Sequence, residues 1–73
     1  RRITQSDVEG AARDLKAQRI REGEKTWASV EYYNGWCHLR EVDAEHEARH
    51  CCLRHLTGGT KREIFNWLQS ARF

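Results

Sequence analysis

Thr26-Trp27-Ala28-Ser29-Val30-Glu31-Tyr32-Tyr33, Asn34-Gly35, Trp36-Cys37-His38-Leu39-Arg40-Glu41-Val42 is the stretch on which the fold turns. Asn-Gly between two runs rich in aromatic and β-branched residues signals a β-hairpin, because a type I′ turn needs positive φ at both central positions. A competing pattern makes Thr26 the N-cap of a helix through Tyr33, but the Asn-Gly signal favours the hairpin. A two-residue loop sets the register: Tyr33 faces Trp36, Tyr32 faces Cys37, Glu31 faces His38, Val30 faces Leu39 and Ser29 faces Arg40. Alternation then sorts the side chains onto two faces. Ala28, Val30, Tyr32, Cys37 and Leu39 read as core. Trp27, Ser29, Glu31, Tyr33, Trp36, His38, Arg40 and Val42 share the other face, where aromatic and charged groups mix.

Upstream, Ser6 and Glu9 have the spacing of a capping box, in which each side chain satisfies a free backbone N–H at a helix start. Val8, Ala11, Ala12 and Leu15 follow at helical spacing and form a narrow stripe of mostly small residues. The spacing predicts a helix from about residue 7 to 21, ending near Gly23. Downstream, Asp43 is placed to cap a second helix from Ala44 to about Leu56, closed by Thr57-Gly58-Gly59. Thr60 with Glu63 repeats the capping-box spacing and opens a third helix through about Ala71. Its inner face is Ile64, Phe65, Trp67, Leu68 and Ala71, and its outer face is Lys61, Arg62, Asn66, Gln69 and Ser70. The expected fold class is α+β: an N-terminal helix, a hairpin at about 26–42 and a C-terminal pair of helices, in one small domain spanning 1–73.

Composition narrows the functional classes. With 73 residues, the chain is short enough that its core must be thin. No apolar run reaches the roughly 18 residues needed to span a bilayer, so no membrane association is expected. The lack of Met implies a start of translation upstream or a removed initiator. Charged residues are 33% but the net charge is only +2. The charge is unevenly spread, however. The segment 26–47 is acidic, while 48–73 carries Arg49, Arg54, Lys61, Arg62 and Arg72 against Glu63. Three cysteines, Cys37, Cys51 and Cys52, are an odd set for a secreted disulfide framework and point to free thiols in a cytoplasmic protein.

Three chemistries compete. Metal binding would draw on Cys37, Cys51, Cys52 and His55, but no C-x₂-C occurs. On the wheel of the second helix, Cys51 and His55 face away from His46 and His50. The expectation is therefore core thiols, a hydrogen-bonded His55, and neither metal nor cofactor. Catalysis by a Cys–His pair would need a water-excluding pocket that so thin a domain can hardly build, so no enzyme activity is expected. DNA binding rests on the last two helices, whose outline is that of a helix-turn-helix. Lys61, Arg62, Asn66 and Gln69 would then reach phosphates or base edges. Against it, a pI of about 8.6 falls short of the usual basic footprint, which leaves room for a localised phosphate contact only.

Protein binding rests on Trp27, Tyr33, Trp36, His38 and Arg40. Aromatic residues beside an arginine have the composition of an interface hot spot. Helices can cover only one face of a two-stranded sheet, so part of this face should stay open. The leading expectation is a small non-catalytic accessory protein, a regulator or inhibitor of the kind frequent among phage and mobile-element products, engaging a protein partner. Helix-turn-helix DNA binding is the alternative, and self-association is also open.

Overall fold

The computed structural model describes residues 1–70. Its elements are α1 (Gln5–Arg21), β1 (Trp27–Tyr33), β2 (Trp36–Val42), α2 (Ala44–Ala48), β3 (Arg54–Gly59) and α3 (Lys61–Gln69). The arrangement is α+β, with one antiparallel sheet in the order β1-β2-β3.

The hairpin forms as its sequence dictates. Asn34 and Gly35 take φ of 52° and 78°, the left-handed pair that a type I′ turn requires. Tyr33 pairs with Trp36, Tyr32 with Cys37, Glu31 with His38, Val30 with Leu39 and Ser29 with Arg40. Ala28, Cys37 and Leu39 enter the core, with Val30 and Tyr32 packed against it. Val8, Ala11 and Leu15 of α1 and Ile64 and Leu68 of α3 meet them there. Both long helices thus lie on one face of the sheet, which we call the inner face.

Helix α1 begins two residues before the expected start. Thr4, not Ser6, is the N-cap: its hydroxyl accepts from the Asp7 N–H, and Asp7 accepts from the Thr4 N–H at 2.8 Å. Thr4 and Asp7 have the same box spacing as Ser6 and Glu9. Their choice also puts Ile3 and Val8 at the two positions of a hydrophobic staple, and both are core residues. At the other end, α1 stops at Arg21 and Gly23 turns the chain with φ of 83°.

The C-terminal half departs from the expected pair of long helices. Asp43 caps α2 as anticipated, accepting from the His46 N–H at 2.8 Å, but α2 lasts only five residues. His50 adopts φ of 57° and ends helical geometry, and the Leu53 N–H then donates to the Glu41 carbonyl at 2.8 Å. Arg54–Gly59 continues as a third strand along β2. The physical reason is long-range. The outer edge of β2 carries a row of unpaired backbone groups, and pairing them outweighs continuing a short amphipathic helix. Thr57-Gly58-Gly59 is therefore strand, not a helix end. Because β3 separates α2 from α3, the helix-turn-helix outline does not form. A bulge at Leu56 offsets the β2–β3 register, so that Thr57 opposes Leu39 and His55 opposes Arg40.

Helix α3 matches its expected start. Thr60 and Glu63 form the reciprocal capping box, with bonds of 2.9 and 3.1 Å. Lys61, Arg62, Asn66, Gln69 and Ser70 are exposed, as the wheel requires. Position 71, the expected helix end, lies outside the described residues. Among the described residues, no helix is long and apolar enough to cross a membrane.

Candidate functional site

The outer face of the sheet is the surface that neither long helix covers. Alternation places Ser29, Glu31 and Tyr33 of β1 there, with Trp36, His38 and Arg40 of β2, and the bulge adds His55 of β3. Tyr33 is 65% exposed and Trp36 is 52% exposed. The Tyr33 and His38 ring centroids lie 6.3 Å apart, and those of His38 and His55 lie 5.7 Å apart. The rings therefore form a diagonal row across all three strands. Gly58 opposes His38 and contributes no side chain; a Cβ there would stand 3.2 Å from His38 Nδ1. The imidazole accordingly leans over Gly58, in space that a side chain there would take, with the His55 ring beside it.

Arg40 lies on the same face. One guanidinium nitrogen sits 3.8 Å from the Glu31 carboxylate, while Nε is buried without a hydrogen-bond partner among the described residues. Tyr33, Trp36, His38 and Arg40 thus share one face as the sequence pattern indicates.

Trp27 does not join them. It is 5% exposed, and its indole N–H donates to Glu47 at 3.1 Å. The Lys16 ammonium stands 4.8 Å from the indole centroid and binds Glu47 at 2.8 Å. Helix α2 brings Glu47 to the start of β1, and α1 brings Lys16. This end of the hairpin is closed, while the turn end, with Tyr33 and Trp36, is open.

A cationic concavity adjoins Trp36. Arg2, Gly35, Trp36, Thr60, Lys61 and Arg62 line an open hollow of ≈ 750 Å³. Its assembly is tertiary: the Arg62 guanidinium donates to the carbonyl of Arg1, tying the N-terminal segment to the start of α3. Arg1 is itself held by Asp7 at 2.8 Å. Among the described residues, no carboxylate forms an ion pair with Arg2, Lys61 or Arg62. The nearby Glu63 carboxylate is occupied by the Thr60 backbone N–H, which holds its pKa below the ordinary carboxylate value. Sequence reading found Lys61 and Arg62 but missed Arg2, because nothing local shows that the two ends of the chain meet.

Asn66 and Gln69 are exposed farther along α3 and do not line this hollow. The four potential metal ligands are dispersed. Cys37 is buried on the inner face, Cys51 is exposed beyond α2, Cys52 is half-buried, and His55 is exposed on the outer face. Among the described residues, no group of three or more His, Cys, Asp or Glu side chains could hold a metal ion. Only Cys37 is a core thiol, and burial pushes its pKa up. His55 neighbours His38 instead of the thiols, because residues 54–59 are strand and not helix.

Compared with known proteins, the chain matches no family model, no curated protein and no solved structure.

Proposed function

We propose that the chain is a non-catalytic nucleic-acid-binding domain that works through the Trp36 end of its sheet. The observation that carries this reading is the juxtaposition of a half-exposed indole with Arg2, Lys61 and Arg62, none of them ion-paired among the described residues. Arginine suits bidentate phosphate contact, and an aromatic ring offers a base a stacking surface. Lys61 and Arg62 keep the role considered for them in the sequence, but they act from the start of α3 beside the sheet. The modest net charge of +2 is no obstacle, because the cations are concentrated at one end.

Titration of fluorescent DNA and RNA oligonucleotides at about 50 and 200 mM salt tests this reading, since phosphate contacts make affinity fall steeply with salt. The double variant Lys61→Gln/Arg62→Gln is expected to bind more weakly and to reduce the salt slope by about two. Absence of binding to either nucleic acid at low salt removes the proposal.

A second reading is favoured by one observation. Tyr33 and Trp36 are large exposed aromatic residues on an uncovered face, as an interface hot spot would be. In that case the partner is a protein, including a second copy of this chain, and the domain is a regulatory or inhibitory accessory unit of phage or mobile-element type. Affinity would then depend on Trp36 with little response to salt. Under either reading, the three free cysteines suit a reducing, cytoplasmic setting.

A further inference from the structure

We infer that the nucleic acid taken by this domain is single-stranded, and that it crosses the outer sheet face along the row Tyr33–His38–His55. The inference rests on the nucleic-acid reading above and adds the form of the ligand and its path.

The row supplies what an unpaired strand needs and a duplex cannot use. Unstacked bases expose their faces, and aromatic side chains on an open sheet stack with them in a sequence-tolerant way. Here three rings stand on three successive strands, with centroid separations of 6.3 and 5.7 Å. Two of them are imidazoles, whose ring nitrogens add hydrogen-bonding capacity beside a stacked base. The absence of a side chain at Gly58 gives the half-buried middle ring room to lie across β3, between Tyr33 and His55. Duplex DNA, by contrast, hides its base faces and is read by an element that enters a groove.

Charge complements the rings. At the turn end of the sheet, Arg2, Lys61 and Arg62 line one hollow with Trp36 and offer phosphate contacts where the strand enters. Arg40 lies on β2 at the His55 end of the row, opposite His55 and Ser29. Its charge is offset by Glu31, which is the acidic side chain of β1 on this face. Glu31 therefore opposes binding, and its neutralisation should strengthen it.

The experiment compares a mixed-sequence single strand of about 20 nucleotides with its own duplex, measured by anisotropy at low salt. The wild-type chain is set beside Tyr33→Ala, His38→Ala, His55→Ala and Glu31→Gln, each first checked for a cooperative melt. Tyr33 and His55 are exposed, so their variants keep the readout available even if His38→Ala is poorly folded. The expected result is single-strand affinity at least about tenfold above duplex affinity. Loss of one stacking ring should weaken single-strand binding by about fivefold or more, while Glu31→Gln tightens it. A duplex bound as well as the single strand overturns the inference and leaves the nucleic-acid reading standing. Single-strand preference unaffected by Tyr33→Ala and His55→Ala overturns the path. Binding of neither form overturns the nucleic-acid reading itself, and this inference falls with it.

Discussion

The indole N–H of Trp27 donates to the Glu47 carboxylate at 3.1 Å, and this bond joins α2 to the closed end of the hairpin. Trp27 is buried, unlike Tyr33 and Trp36 at the turn end, and the bond ties it to Glu47. With it, α2 is fastened over the start of β1, and Lys16 completes the arrangement by binding Glu47 and standing over the indole.

Trp27→Ala is accordingly expected to cost about 3–5 kcal/mol, a large part of the stability of so small a domain. Glu47→Gln should cost about 1 kcal/mol, because its ion pair with Lys16 is partly exposed and screened while the indole can keep an acceptor. Urea melts followed by circular dichroism measure both. Near-wild-type stability for Trp27→Ala would show that the indole is not part of the packed structure.

Trp36→Ala should behave in the opposite way. Half of this side chain is already in water, so truncation should cost about 1 kcal/mol and leave a cooperative fold. Binding should nevertheless be strongly reduced, because the ring borders the cationic hollow. A variant that is unfolded at room temperature would place Trp36 in the core and end its assignment as a contact residue.

Acid should destabilise the domain. Thr4 and His46 backbone N–H groups hold Asp7 and Asp43 below their ordinary value of 3.8. Arg54, Lys16 and the Thr60 N–H do the same for Glu41, Glu47 and Glu63 relative to 4.5. A carboxylate with a lowered folded-state pKa contributes stability above its unfolded value, and that contribution is lost as pH falls through the folded one. The melting temperature should thus hold from neutral pH to about 5 and drop progressively below about 4.5. Equal melting temperatures at pH 7 and pH 3 would contradict these assignments.

The three cysteines should react at distinct rates. Cys51 is exposed, Cys52 is half-buried, and Cys37 is buried with its thiol pKa raised. Timed alkylation at neutral pH with mass-spectrometric readout is expected to modify Cys51 first and Cys37 only in denaturant. Early modification of Cys37 would show that the inner face of β2 is accessible in the native state.

Much of this molecule was readable in short stretches, for an identifiable reason. The Asn34-Gly35 turn, the Tyr33–Trp36 register, the Asp43 cap and the Thr60–Glu63 box all depend on residues within a few positions of one another. Their backbone preferences act before any distant contact forms, so the local sequence determined them. It also determined the inner face of the hairpin, because strand alternation follows once the turn is set. What only the tertiary structure decided lies farther apart along the chain. Arg54–Gly59 has two local options, and the unpaired edge of β2 selects strand over helix. Trp27 is buried by a glutamate twenty positions away, and Arg62 meets the backbone of Arg1 sixty-one positions away. These outcomes depend on which surfaces remain unsatisfied after the local elements have formed, and no local window of the sequence contains that information.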